Sequence, residues 1–337
     1  MKAVFFDVQS YEESYLHNNI PKDYSYIFIK ESLNSHFALS EEIKDAEVLS
    51  VFISSDLNEN VLKNFPKLKY ILTRSVGFSH ICLEYCKKNN IYVFNTPHYG
   101  DNTVAEYTFG ALLYTIRHLG HAIEDVKEDK INMNRYIGTE LFSKTMGVIG
   151  AGSIGKNVLD IAQGFKMKTL AYDPYSSDNY YTYTTLDNLL ASSDVISINS
   201  PLTKDNYHLI NKENIAKMKQ GAIIVNAARG EIIDTEALYE ALLEEKISYV
   251  ALDVIECEEI LCSENKKCQG LENLKEICLE KYYLNQKLLK LPNVTITPHM
   301  AYNTKEAIGR ILSMTIENLI SCLNFNPDAG AKNLVLL

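Results

Sequence analysis

No apolar run in this chain reaches the ~18 residues that a membrane-crossing helix requires, so a spanning segment is not expected. Basic residues are in deficit: 33 Lys and Arg stand against 43 Asp and Glu, a formal net charge of −10, and no basic stripe is present. That balance argues against a nucleic-acid partner. The seven cysteines are an odd number and lack the spacing of a disulfide framework, which points to free thiols in a reducing cytoplasm. Cys257, Cys262, Cys268 and Cys278 do cluster, but without the paired CxxC spacing of a zinc site, so no metal is expected. The N-terminus, MKAVFFDVQS, has too short an apolar stretch for a secretory signal. Fixed-period repeats and low-complexity tracts are also missing.

What is present is an ordinary globular composition, 46% hydrophobic and 23% charged. At 337 residues, two domains are favoured, each able to bury its own core. The most informative stretch is GVIGAGSIG at 147–155. An apolar run (Met146, Val148, Ile149) leads into Gly150-x-Gly152-x-x-Gly155, a helix-compatible stretch follows to Gly164, and Thr169–Tyr172 reads as a second strand ending on Asp173. This is the layout of a dinucleotide-binding βαβ unit. Gly150 makes the tight turn, Gly152 admits a pyrophosphate, and Gly155 lets the helix pack on the strand. The helix N-terminus offers N–H groups and positive dipole to phosphates. Asp173 is placed to accept from ribose hydroxyls and to repel a 2′-phosphate, so the cofactor is expected to be NAD rather than NADP.

Upstream, residues 2–97 alternate strand candidates (Ala3–Val8, Tyr26–Ile29, Val48–Ile53, Tyr70–Thr73, Tyr92–Phe94) with helical stretches. Ser40 followed by Glu41 and Glu42 reads as an N-cap with acids in the first turn. The alternation predicts a doubly wound parallel sheet, without a glycine fingerprint and hence on the substrate side. From Asn102 to about Lys130 the apolar period predicts one long helix, a brace, a dimer surface or a buried connector. Further strands are expected at Val195–Asn199, Ala222–Asn226, Tyr249–Asp253 and Val294–Thr297. Residues 255–291 read as an irregular, cysteine-bearing insertion. A final helix, Thr304 to about Leu323, is long enough to cross back onto the first domain.

The chemistry gathers at strand ends, where open parallel sheets bind ligands. The cofactor-domain strands end in Gly150/Gly152, Asp173, Ser200-Pro201, Asn226 to Arg229, Asp253 and Pro298-His299. Arg229 offers a planar fork for a carboxylate. His299 can give a proton to a carbonyl oxygen while hydride reaches the carbon. Glu258 can hold the other imidazole nitrogen. Arginine, histidine and acid beside NAD describe the reduction of a 2-oxo acid.

With these residues the chain resembles the D-isomer-specific 2-hydroxyacid dehydrogenases, and most closely their D-lactate branch. The matching stretches are TRSVGFSHI at 73–81, TPHYGDNTVAEYT at 96–108, GVIGAGSIGK, INSPLT at 198–203, GAIIVNAARGEIIDTEAL at 221–238, ALDVIECEE at 251–259 and PNVTITPHMAYNT at 292–304. The resemblance implies two Rossmann-like or flavodoxin-like α/β domains with parallel sheets, the NAD domain (101–299) inserted into a substrate domain (1–100 and 300–337). It implies a homodimer, Arg229 as carboxylate-binding arginine, Glu258 as its acid partner residue for His299, and His299 as proton donor. Val76 and Gly77 match a loop whose N–H groups hold the substrate carboxylate, and Tyr99 and Tyr302 match pocket positions. Ser153, Ile154, Asp173, Ser200, Pro201, Asn206, Ala227, Ala228 and Asp253 fall at NAD-contacting positions. Asn303, Tyr107 and Ser200 depart from the family's usual tyrosine, histidine and valine. The expected reaction is reversible reduction of pyruvate to D-lactate; a longer 2-hydroxy acid, or a non-catalytic NAD sensor, are the alternatives.

Overall fold

In the first unit, successive strand residues send their side chains to opposite faces and both faces are buried. Val4, Leu49, Ile71 and Val93 belong to one core, whereas Ala3, Phe5, Val48, Leu72 and Phe94 belong to another. That is the burial of a parallel sheet covered on both sides. The computed structural model describes residues 1–176, 178–258, 276–326 and 331–335. It divides into two units, Met1–Tyr99 with Thr304–Leu337, and Gly100–Asn303. The first unit is therefore built from both ends of the chain, and the second is inserted into it.

The five parallel strands of the first unit are β1 (Lys2–Phe5), β2 (Ser25–Phe28), β3 (Val48–Val51), β4 (Tyr70–Thr73) and β5 (Tyr92–Phe94), in the order β2-β1-β3-β4-β5. The helix Lys305–Leu323 returns here, packing Leu312, Ile316 and Leu319 on the core that holds Phe5 and Leu72. The Tyr24 hydroxyl donates to its Leu319 carbonyl at 2.9 Å. Ser40 caps the helix Glu41–Lys44, its side chain accepting from the Ile43 N–H, as the sequence predicts. The strand order reverses between β1 and β3, and the carboxyl ends there are filled from within. Asp7, just past β1, accepts from Ser32, Ser54 and Ser55 hydroxyls and from the Phe52 N–H, at 2.5 to 3.1 Å. The buried Arg74 guanidinium donates to the Phe6 and Asp7 carbonyls at 2.8 and 3.0 Å and to the Ser50 hydroxyl at 3.1 Å.

The second unit has six parallel strands, β6 (Thr145–Ile149), β7 (Lys168–Tyr172), β8 (Val195–Ile198), β9 (Ala222–Asn226), β10 (Ile247–Leu252) and β11 (Val294–Ile296). Their order is β11-β10-β9-β8-β6-β7, so the chain reverses direction across the sheet between β6 and β8. This topological switch is where α/β sheets open a crevice for a ligand. One face of the sheet carries the helices Asp101–Ile116 and Ser153–Gly164, with Phe109, Leu112, Val158 and Leu159 in its core. The other carries Leu189, Ile215, Leu238 and Leu242 from three further helices. Among the described residues no helix is long and apolar enough to cross a membrane.

Three expectations are corrected. The predicted single helix from Asn102 to Lys130 is two, Asp101–Ile116 and Leu119–Lys127. His118 between them is left-handed (φ 53°), its ring nitrogen 3.1 Å from the Tyr249 hydroxyl, and the Ile116 carbonyl takes the Thr139 N–H instead of continuing the helix. The apolar period runs through this break because both pieces carry apolar residues. The predicted irregular segment 255–291 contains the helix Glu276–Leu288. Cys257 and Cys278, expected as free thiols, are joined in a disulfide, because the fold brings that helix against the loop after β10. Cys262 and Cys268 lie outside the described residues, whereas Cys82, Cys86 and Cys322 are free.

Candidate active site

The glycine turn after β6 has the three properties its sequence implies. Gly150 is left-handed (φ 89°), and a Cβ there would sit 2.7 Å from the Ser200 nitrogen on the neighbouring β8 loop. A Cβ on Gly155 would collide with the Gly150 carbonyl, so the helix Ser153–Gly164 approaches the strand more closely than any side chain allows. A Cβ on Gly152 would meet nothing within 4 Å. That space faces the helix N-terminus, whose cap is Gly152 and carries no side chain. Unfilled volume, N-terminal N–H groups and dipole together fit a pyrophosphate. Asp173, at the end of β7, is tied to the same turn: one carboxylate oxygen accepts from the Ala151 N–H at 2.9 Å and the other from the Tyr175 N–H at 2.8 Å. These residues fit NAD.

The next loops supply the remaining predicted cofactor positions. After β8, Asn206 uses its amide within the loop, donating to the Pro201 carbonyl (2.7 Å) and the Ser200 hydroxyl (3.3 Å) and accepting from the Thr203 N–H (2.7 Å). After β9, the fully buried Asn226 side chain accepts from the Ala228 N–H at 3.0 Å and donates to the Arg229 carbonyl at 2.9 Å. It thereby fixes Ala227, Ala228 and Arg229 in one turn. The Arg229 guanidinium donates to the Ala228 carbonyl at 2.6 Å and meets no carboxylate among the described residues. A half-buried guanidinium with most of its donors unspent is a site for an external anion.

Glu258 and His299 come from the neighbouring strands β10 and β11, and the fold joins them. A Glu258 carboxylate oxygen lies 2.7 Å from His299 Nδ1. His299 is itself left-handed (φ 50°), a conformation that costs energy in a non-glycine residue and needs restraint from its surroundings. Asp253 supplies that restraint. Its buried carboxylate accepts from the Met300 and Ala301 N–H groups (2.9 and 2.7 Å) and from the Thr297 hydroxyl (2.7 Å), while its own carbonyl takes the His299 N–H (2.9 Å). Tyr107 extends the chain by a hydrogen bond to Thr297, and burial pushes its phenol well above the ordinary range. Asp253, expected as an NAD contact, also anchors the histidine loop.

Arg229 and the Glu258 segment are drawn together by Gly230, where a Cβ would overlap the backbone of Ile255 and Glu256. Val76, Gly77 and Tyr99 belong to the first unit. There the Ser75 carbonyl accepts from the Thr96 N–H (3.0 Å) and the Val76 carbonyl from the Asn95 side chain (2.9 Å). In trans peptides this turns the Val76 and Gly77 N–H groups the opposite way, clear of those partners. Tyr302 follows the His299 loop and is half-buried.

A model of the D-isomer specific 2-hydroxyacid dehydrogenase NAD-binding domain matches residues 109–301. The chain belongs to the D-isomer specific 2-hydroxyacid dehydrogenases. It is an oxidoreductase whose cofactor is NAD. Among relatives of this dehydrogenase, an aromatic 2-oxoacid reductase of Clostridium sporogenes is 38% identical over 82% of each chain. A D-lactate dehydrogenase of Escherichia coli is 32% identical over 95% of this chain and 96% of its own. The crystal structure of an Aquifex aeolicus D-lactate dehydrogenase, complexed with NAD and lactic acid, superposes with a TM-score of 0.88. It is 36% identical and covers 99% of this chain and 98% of its own.

Sequence reasoning did not single out Gly230, Thr297 or the anchoring roles of Asn226 and Asp253. Gly230 alone had a readable signal, an arginine-glycine pair directly after a buried strand. Glu256, the alternative to Glu258 as the acid beside His299, bonds His208, Thr235 and Lys281 instead. It is buried, and although burial pushes its carboxyl up, hydrogen bonds from Thr235, His208 and Lys281 hold it below the usual carboxylate range. Glu256, Asp234 and His208 have a metal-ligand spacing. The Lys281 ammonium lies 3.0 Å from Glu256 and 3.7 Å from Asp234, so a cation of the chain already neutralises the group.

Proposed function

We propose that this dehydrogenase reduces pyruvate to D-lactate, with Arg229, Glu258 and His299 as its catalytic residues. The observation that carries this reading is the pair His299–Glu258 on the loop next to an arginine with no acidic partner among the described residues. In the proposed roles, Arg229 grips the substrate carboxylate through two parallel N–H bonds. His299 Nε2 gives its proton to the ketone oxygen, and Glu258, 2.7 Å from Nδ1, keeps the ring oriented. NADH supplies the hydride. In the reverse direction the neutral ring takes the hydroxyl proton. Gly150, Gly152, Ser153, Ile154 and Gly155 would cradle the pyrophosphate, Asp173 the ribose, and Ser200, Pro201, Asn206, Ala227 and Ala228 the rest of NAD. For Val76 and Gly77 we propose carboxylate-binding N–H groups, and for Tyr99 and Tyr302 pocket walls.

The aromatic 2-oxoacid reductase among the relatives favours a second reading, a larger substrate side chain. NADH oxidation should be measured with pyruvate, hydroxypyruvate, phenylpyruvate, 2-oxoisocaproate and 2-oxoglutarate, followed by chiral analysis of the product. We expect the highest kcat/KM with pyruvate and a D product. A preference for phenylpyruvate would replace the first reading by the second, and turnover of none would favour a non-catalytic sensor. Replacing Asp173 by Asn should narrow the preference for NADH over NADPH, mainly through KM, because the carboxylate no longer repels the 2′-phosphate. Equal use of both cofactors by the unaltered protein would refute that role.

We further propose a cytoplasmic homodimer. The helix Leu119–Lys127 exposes Leu119, Ile123 and Val126 in one stripe, and Ile131, Met133, Ile137 and Phe142 are exposed just beyond it. So much contiguous sequence of uncovered apolar residues is what a self-association surface supplies.

A further inference from the structure

Between two acids with different partners, Glu256 and Glu258, stands Cys257, and its sulfur is bonded to Cys278 on the helix Glu276–Leu288. We propose that the Cys257–Cys278 pair is a redox site that sets the position of Glu258 and, through it, the ability of His299 to transfer a proton. The inference rests on the acid–base roles proposed above.

The helix holds this segment with one face. Cys278, Lys281 and Asn285 are spaced by three and four residues and so lie on one side. The Lys281 ammonium reaches the Glu256 carboxylate at 3.0 Å, and the Asn285 amide donates to the Glu256 carbonyl at 2.9 Å. Glu256 is also held by Thr235 and, at 2.8 Å, by His208. Residue 256 therefore stays anchored whatever the state of the sulfurs. Glu258 has far less: one carboxylate oxygen bonds His299, and the other is buried with no hydrogen-bond partner among the described residues. Between these two acids, Cys257 is left-handed (φ 55°), a conformation a non-glycine residue keeps only under restraint. The disulfide is that restraint. Without it, residue 257 is free to relax to ordinary backbone angles, which re-aims the next side chain, Glu258.

Both cysteines are half-exposed residues. Two of the three free cysteines of the first unit contrast with them: burial pushes the thiols of Cys86 and Cys322 up to about 12, which leaves them unreactive, whereas Cys82 is half-exposed. In the cytoplasm proposed above, disulfides are mostly redox-sensing or catalytic rather than static. The balanced step is exchange with a dithiol. One thiolate of the dithiol attacks the Cys257–Cys278 bond to give a mixed disulfide and releases one cysteine. The second thiolate displaces the other cysteine. The reagent leaves as a disulfide, and two electrons and two protons have passed to Cys257 and Cys278.

The test uses the full chain equilibrated in reduced or oxidised dithiothreitol, with peptide mapping of the 257–278 linkage. Turnover of the best 2-oxo acid and NADH binding by fluorescence are measured on the same samples. Reduction is expected to lower kcat by about tenfold, since misplacing a catalytic group by an ångström can cost ~10²-fold. NADH affinity should stay the same, and reoxidation of the same sample should restore the rate. Cys278→Ser should turn over at the reduced rate in both buffers. An unchanged kcat after mapped reduction overturns the proposal, even if the melting temperature falls, because that is the mark of a purely structural link. Absence of the 257–278 linkage in oxidised protein also overturns it. If neither form turns over any 2-oxo acid while NADH still binds, the functional reading fails, and the redox proposal with it.

Discussion

His299→Ala is expected to lower kcat for 2-oxo acid reduction by roughly 10²–10⁴-fold, the usual worth of a positioned proton donor, while NADH binding is retained. The reason is geometric. The ring is held from one side by Glu258 at 2.7 Å, and the loop beneath it is held by four hydrogen bonds to Asp253, three to its carboxylate and one to its carbonyl. Alanine leaves that loop intact, because Asp253 bonds to the Thr297 side chain and to backbone of 299–301 rather than to the imidazole. The loss should therefore appear in kcat. Comparing single-turnover rates with fluorescence-measured NADH affinity separates the two quantities. A variant retaining more than about a tenth of the rate would remove His299 from the proton-donor role.

Arg229→Lys should raise KM for the 2-oxo acid by roughly 10–100-fold, because a hydrogen bond to a charged group is worth about 1.5–3 kcal/mol and the fork loses one. The ammonium keeps the charge but cannot present two parallel donors to a carboxylate. Asn226 holds the Arg229 backbone through its carbonyl, so the turn itself should survive the substitution. Steady-state kinetics at saturating NADH give the answer directly, and a near-normal KM with a near-normal kcat would rule out the clamp.

The glycine turn and the strand ends could be read from sequence because their chemistry is local. Gly150 and Gly155 answer to atoms within a few residues or on the next strand, and Gly152 leaves open space at the start of the following helix. The same holds for the strands, whose residues are apolar on both faces. The pairing of His299 with Glu258 joins residues 41 positions apart, and it could be expected only because each follows a strand of the same parallel sheet, whose carboxyl ends gather in one crevice. The helix Glu276–Leu288 stayed hidden for a different reason. Its inward stripe is Cys278, Lys281, Asn285 and Leu288, and a stripe with a lysine and an asparagine leaves no hydrophobic period to detect. The break at His118 was hidden too, because it depends on the Ile116 carbonyl finding the Thr139 N–H, a contact no periodicity encodes.

The Asp7 cluster bears on how many nucleotides one chain carries. Both sheets reverse strand order near their middle and both open at their carboxyl ends, so architecture alone offers two berths. In the first sheet the berth has a resident anion: the Asp7 carboxylate consumes three serine hydroxyls and a backbone N–H that an incoming phosphate would need. In the second, the corresponding turn ends in the open space beside Gly152. The first sheet is thus self-liganded through Asp7, and one NAD per chain is the expected outcome of a binding titration.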